Sequence, residues 1–300
     1  MPRLRAVRRY GWLALVGGVG ALVASLLVVR TAQARPAATA SPGSAWEAAR
    51  AEVHRGVLNT LQQRQAELRR GLSAYCVTHG PSSGDAIALT FDDGPHPSFT
   101  PQLLEILREQ QVPATFFVVG EMAEKQPDLI RRIVADGHCL GNHTYHHVRL
   151  PGLAAGTIAT EIKACGLVLQ GITGQAPHWF RPPGGDTNTR VRMVARALGY
   201  RVALWDVFTA DSGRPGSGEI GGRILGETHP GAIILLHDGV QQTVEVLPWV
   251  ILALKQVGFR FVTLDELLAP EPQDWDALMR ELGLNPDPPR AGKPQPAARF

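Results

Sequence analysis

The stretch that most constrains this chain is Ala86-Ile87-Ala88-Leu89-Thr90-Phe91-Asp92-Asp93-Gly94-Pro95, an apolar run that ends abruptly in two carboxylates and a turn. The run reads as a buried strand that delivers acids to a site. Successive side chains on a strand point to opposite faces, so Asp92 and Asp93 can serve one site only if the backbone turns there. Gly94-Pro95 supplies turn chemistry. Two adjacent carboxylates at the end of an apolar strand repel each other and resist burial, and a bound metal ion is the commonest compensation.

Nitrogen ligands follow in Gly141-Asn142-His143-Thr144-Tyr145-His146-His147. His143 and His147 are four residues apart, and one helical turn would place both on the same side. With Asp93 they make two imidazoles, one carboxylate and an open position, the composition of a catalytic zinc-type site. The competing reading is a cluster of three histidines on a polar surface loop, and spacing alone leaves His146 eligible as a ligand. Cys139 reads as a small buried residue on the approaching strand rather than a metal thiolate.

Strand-like and helical stretches alternate beyond Asp85. Strands are expected at Ala114 to Val119, Trp179-Phe180, Arg201 to Trp205, Ala232 to Leu236 and Phe259 to Leu264. Helices are expected at Pro127 to Ala135, Ile158 to Ile172, Arg190 to Leu198 and Val244 to Val257. This alternation argues for parallel strands joined by crossover helices. The polar motifs fall just after the apolar runs, at the carboxyl ends of the strands, which converge on one face of a barrel.

The order of these motifs carries a resemblance. Thr90-Phe91-Asp92-Asp93-Gly94-Pro95, His143-Thr144-Tyr145-His146-His147, Arg181-Pro182-Pro183-Gly184-Gly185, Trp205-Asp206 to Asp211, and Leu235-Leu236-His237-Asp238 together resemble the polysaccharide deacetylase (NodB homology) family over about Asp85 to Leu268. The resemblance implies an α/β fold, a distorted and incomplete (β/α) TIM-like barrel. It implies Asp92 as general base, Asp93, His143 and His147 as metal ligands, and Arg181 as the residue holding the base. It further implies His237 as general acid, Asp211 as its carboxylate partner, and the Gly184 N–H as oxyanion donor. His146 is then left as a bystander or a group behind the ligands. The implied cofactor is one divalent metal ion, zinc first, with cobalt, nickel or manganese as alternatives. The implied reaction is removal of N-acetyl groups from an extracytoplasmic amino-sugar glycan, peptidoglycan or a chitin-like oligosaccharide, with release of acetate. An O-acetyl ester hydrolase and a non-catalytic glycan-binding envelope protein are the alternatives.

The chain departs from the family pattern at two motifs. Phe208 stands where an acid is common and Ser212 follows Asp211 where a Trp is usual, which opens one wall of the groove. Gly184 stands where Tyr is usual, a change that keeps the backbone donor.

Composition, 44% hydrophobic and 19% charged, is that of a globular enzyme. The five arginines among residues 1–34, with no acid there, exceed the whole chain's net charge of +3, so the remainder carries no nucleic-acid signature. Arg3, Arg5, Arg8 and Arg9 precede the uncharged segment Gly11 to Val29, which reads as a signal peptide or a signal anchor over 1–34. We take the uncleaved anchor as the expectation, with the arginines inside and the rest of the chain outside. Residues 35–43 read as a linker and 44–84 as a helical spacer, a stalk or a helix packed on the barrel. The catalytic domain is placed at 85–268, and 269–300 as a short helix and disordered tail. Three cysteines, an odd number in an exported chain, imply no disulfide framework. The sequence leaves oligomeric state open.

Overall fold

The structure is a computed structural model, which describes residues 43–53, 56, 58 and 76–269. The N-terminal apolar segment, the linker to Ser41-Pro42, most of the expected spacer helix beyond Val53 and the expected helix at 274–284 lie outside the described residues.

Among the described residues nine strands form one parallel sheet: β1 (Cys76–Val77), β2 (Ala86–Gly94), β3 (Thr115–Val118), β4 (Cys139–Asn142), β5 (Trp179–Phe180), β6 (Arg201–Ala203), β7 (Val207–Phe208), β8 (Ile233–His237) and β9 (Arg260–Phe261). Their order is β1-β6-β5-β4-β3-β2-β8-β7, with β9 paired to the start of β2. Only Leu204, Trp205 and Asp206 separate β6 from β7, although no ladder joins those strands. The sheet is a curled, incomplete barrel, as expected. β2 lies at its centre, paired with β3, β8 and β9, which fits a sequence that is apolar on both faces.

The helices are α1 (Ser44–Glu52), α2 (Thr100–Glu109), α3 (Gly120–Lys125), α4 (Pro127–Ala135), α5 (Ala155–Thr173), α6 (Thr189–Ala197), α7 (Ser217–Glu227), α8 (Gln241–Gln256) and α9 (Leu264–Leu267). On β2, Ile87, Leu89 and Phe91 pack outward with Leu103, Leu107, Val246 and Val250 of the helices. Ala88 faces inward with Phe117, Trp179, Ala203 and Ile233 from other strands. The period-2 alternation thus separates a helix layer from the barrel interior.

Two differences from the sequence reading have physical causes. Cys76–Val77, inside the stretch assigned to the spacer, is a strand paired with Val202 and Ala203, so the sheet begins before Asp85. α7 has no clear apolar period because Gly218, Gly221, Gly222 and Gly226 interrupt it. A Cβ on Gly221 would collide with the Trp249 indole of α8, so the glycine permits close helix packing at the cost of helix propensity. α1 packs against α5, with Ala49 and Val53 fully buried. No helix among the described residues is long and apolar enough to cross a membrane. All three cysteines are free thiols. Cys139 opens β4 at the end away from His143, and its Sγ lies 3.5 Å from Asp265 Oδ2.

Candidate active site

The C-terminal ends of β2, β4, β5 and β8 gather the candidate residues. The two carboxylates of β2 share one site because the strand bulges between them: the register with β3 shifts between Asp92 and Gly94, and Asp93 has φ 75°. The turn therefore begins at Asp93 itself, one residue earlier than Gly94-Pro95 suggested. Aspartate tolerates this left-handed backbone better than most residues.

Asp93 Oδ1 lies 3.3 Å from His143 Nε2 and 3.0 Å from His147 Nε2. The ligand atoms of these three residues all fall within 4.8 Å of one another. The histidines are not on a helix, contrary to the spacing argument. They flank an irregular loop in which Thr144 (φ 70°) and His147 (φ 57°) are both left-handed. Asn142, fully buried, shapes the entry: its Oδ1 accepts from Thr144 N at 2.9 Å while its Nδ2 donates to Ile162 O at 2.7 Å. Thr144 Oγ1 accepts from His147 N at 3.1 Å.

The donor set fits a cation. His143 Nδ1 is 2.7 Å from Arg181 O, a carbonyl that can only accept, so the ring proton sits on Nδ1. In the neutral ring, Nε2 then points a lone pair at the Asp93 carboxylate, and a positive charge between them is what relieves that opposition. Burial works to raise the Asp93 pKa, but the two adjacent imidazoles outweigh it and hold the carboxyl well below its ordinary range, so the carboxylate, too, favours positive charge at this point. His147 is raised by its hydrogen bond to Asp93.

Asp92, 3% exposed, is held by Arg181, which is completely buried. Arg181 Nη1 donates to Asp92 Oδ1 at 2.7 Å and to Thr90 Oγ1 at 2.8 Å. Its Nε donates to Ala203 O at 2.9 Å and its Nη2 to Leu204 O at 2.9 Å, and its guanidinium lies 4.1 Å from the Phe117 ring centroid. A buried charge pair survives only when the remaining donors are satisfied in this way. The other Asp92 oxygen, Oδ2, faces the ligand set at 3.8 Å from His143 Nε2.

His237 sits beside Asp92 as its register partner across β2 and β8. Its Nδ1 is 2.6 Å from Oδ1 of the fully buried Asp211. Asp211 Oδ2 accepts from His237 N at 2.7 Å and from Thr243 Oγ1 at 2.6 Å, and its Oδ1 accepts from Ser212 N at 3.0 Å. For His237, burial lowers the pKa but the Asp211 carboxylate raises it further, leaving the imidazole above its ordinary value. For Asp211, burial raises the pKa but the bonds from His237 and Thr243 carry it below. The two directions agree on a charged pair.

The Arg181 motif turns through Pro183–Gly185, where Gly184 has φ 65° and Gly185 φ 69°. A Cβ at Gly185 would lie 2.6 Å from Trp205 Cη2, so glycine lets the indole rest on the turn. The Gly184 N–H has no acceptor among the described residues. Trp205 and Phe208 stack with ring centroids 6.3 Å apart, and Phe208 is half exposed. Asp206, despite its place in the fourth motif, stands apart from the acids: its Oδ1 accepts from Ile233 N at 2.8 Å and its Oδ2 is 3.1 Å from His229 Nε2. Asp238 is buried behind the site with a hydrogen bond from Thr100, and burial pushes its carboxyl up to about 6.

Sequence reasoning missed the supports. Thr90 precedes Asp92 by two residues, so strand period alone places it on the same side. Thr243 lies in the first turn of α8, which was expected to start at Val244, three residues after its actual start at Gln241. Glu161, 2% exposed, carries no local signal; it accepts from Tyr145 N and His146 N in the ligand loop.

Comparison with known proteins agrees on the family. The polysaccharide deacetylase family model matches residues 79–203. A peptidoglycan-N-acetylglucosamine deacetylase of Bacillus cereus is 37% identical over 192 residues, covering 63% of this chain and 70% of that protein. A chitooligosaccharide deacetylase of a Bradyrhizobium species is 37% identical over 205 residues, covering 63% of this chain and 94% of that protein. Among solved structures, a peptidoglycan N-acetylglucosamine deacetylase superposes with a TM-score of 0.62 at 35% identity, covering 65% of this chain and 92% of that one. Identity of this order, spread over a barrel whose strand ends bring the five motifs together, leaves one assignment: the chain belongs to the polysaccharide deacetylase family and is an enzyme of that class.

Proposed function

We propose that the protein hydrolyses N-acetyl groups on an amino-sugar glycan outside the cytoplasm, peptidoglycan strands or chitin-like oligosaccharides, and releases acetate. Asp93, His143 and His147 are the residues that would hold one divalent cation, with zinc first among the candidates. Such a cation, when bound, supplies a Lewis acid for the acyl oxygen and lowers the pKa of water.

The protein's own groups divide the proton work. Asp92, kept from swinging by Arg181, takes a proton from the attacking water through its free Oδ2. The Gly184 N–H donates to the developing oxyanion. As the C–N bond breaks, His237 delivers a proton from Nε2 to the departing nitrogen, so acetate and a free amine leave. Asp211 fixes the proton on His237 Nδ1 and holds the positive charge on the ring.

The observation that carries the amide reading is the His237–Asp211 pair at 2.6 Å. An amine cannot leave as an anion, so an amide hydrolase needs a poised acid, whereas an ester hydrolase needs one much less. The Trp205–Phe208 stack, with Phe208 half exposed, supports a sugar substrate, because the apolar face of a pyranose packs on an aromatic ring. The uncharged segment at residues 11–29 supports an extracytoplasmic setting, tethered to the membrane. The test is acetate release by zinc-loaded full-length protein from matched N-acetyl and O-acetyl oligosaccharides. Activity confined to the O-acetyl substrates would overturn the amide assignment.

A further inference from the structure

His143 and His147 are supported differently. His143 is 1% exposed and its second ring nitrogen is tied to Arg181 O. His147 has a side chain 42% exposed, and its Nδ1 has no partner among the described residues. Apart from the Asp93 contact at its Nε2 and the bond from its backbone N–H to Thr144 Oγ1, its direction follows from the backbone of the two residues before it.

That backbone is gripped from two sides. Beneath it, Glu161 of α5 accepts from Tyr145 N at 3.1 Å and His146 N at 2.9 Å through Oε2, and its Oε1 lies 3.0 Å from His146 Nδ1. A buried carboxylate bonded to consecutive amides fixes both peptide planes, and charge-assisted bonds of this kind are about twice as strong as neutral ones. Outside it, Trp46 of α1 meets the His146 ring edge-on, with centroids 4.6 Å apart, and lies 5.7 Å from the Tyr145 ring. Tyr145 Oη donates to Glu124 Oε2 at 2.8 Å, and the same oxygen accepts from Gly43 N at 3.2 Å, immediately before α1. The start of α1 is thus joined to the ligand loop at two neighbouring residues. This helix lies outside the residues that the family model matches.

We propose that Trp46, His146 and Glu161 form a latch that positions the metal-ligand loop, making α1 a working part of the catalytic unit and not only a connector. They are positioning residues: Trp46 presses His146 onto Glu161, Glu161 fixes the peptide planes, and His147 is aimed as a result. The proposal rests on the reading of Asp93, His143 and His147 as metal ligands.

The test titrates zinc into metal-stripped full-length protein against a chromophoric chelator, with the melting temperature of each metal-free variant measured alongside. Trp46→Ala and His146→Ala should each weaken zinc binding about tenfold, the lower end of what groups behind metal ligands contribute. Trp46→Phe, which keeps an aromatic edge, should stay within about twofold of the wild type. The double variant should bind no more weakly than His146→Ala alone, because Trp46 acts through His146. A wild type that binds zinc while Trp46→Ala binds within about twofold of it overturns the latch alone, whatever happens to the melting temperature. Losses in the double variant that equal the product of the single losses also overturn it. A wild type that takes up no zinc overturns the ligand assignment and the latch together.

Discussion

At the scale of single residues, the proposed mechanism sets two opposed proton carriers, Asp92 and His237, on neighbouring strands. Asp211 should act on one limb of the pH profile only. Because its charge holds the His237 pKa up, the acid form of His237 persists to a higher pH than a free imidazole would allow, and kcat/KM falls as pH rises through that raised value. Asp211→Asn should shift this alkaline limb to lower pH and leave the acid limb in place; an equal loss of rate at every pH would contradict the pairing. The same pair sets signs for stability. The raised His237 contributes stability that is complete below its unfolded pKa and is lost as pH rises through the folded one. The depressed Asp211 contributes stability above its unfolded pKa that is lost as pH falls through the folded one. Arg181 shows the cost of breaking a buried pair. Arg181→Met should destabilise the fold by about 3–5 kcal/mol, read as a denaturant midpoint shift, because Asp92 is left buried and uncompensated. A midpoint unchanged in Arg181→Met would show that Asp92 does not depend on the pair.

At the scale of elements, what was legible in the sequence follows from period and position. The helix at Pro127–Ala135 and the strand at Trp179–Phe180 have the bounds read from their apolar pattern, and α6 and β8 lie within one residue of theirs. His143 and His147 were paired by an i, i+4 argument whose helix does not exist: left-handed Thr144 and His147 fold the loop back instead and bring both imidazoles to Asp93. Glycine-broken α7 and the grip of Glu161 were not legible, because each depends on a partner distant in sequence, whereas the turn at the two carboxylates was read one residue late. Phe208 is the element-scale test of substrate contact. It ends β7 at the open edge of the sheet, half exposed and stacked on Trp205. Phe208→Ala should raise KM for an oligosaccharide about tenfold with kcat little changed, since stacking remote from the acyl carbon binds ground and transition states alike. A drop in kcat at constant KM would place the ring in the chemistry instead.

At the scale of the whole molecule, the sequence places a basic N-terminus with an uncharged core ahead of an incomplete parallel barrel, and the proposed setting outside the cytoplasm follows from it. Fractionation should find the full-length protein in the membrane pellet with its barrel accessible to external protease, and recovery of a species beginning near Arg35 in the soluble extracytoplasmic fraction would show cleavage. The proposed reaction is hydrolysis of a glycan amide by Asp92 and His237 beside a cation held by Asp93, His143 and His147. It is tested most directly by counting free amines formed on N-acetylglucosamine oligomers and peptidoglycan strands. Amines should appear with zinc-loaded protein, stop on chelation, return with zinc, and fall by about a hundredfold or more in Asp92→Asn and in His237→Asn. Protein that holds one zinc per chain yet forms no amines on either glycan, or an Asp92→Asn variant as fast as the wild type, would contradict it.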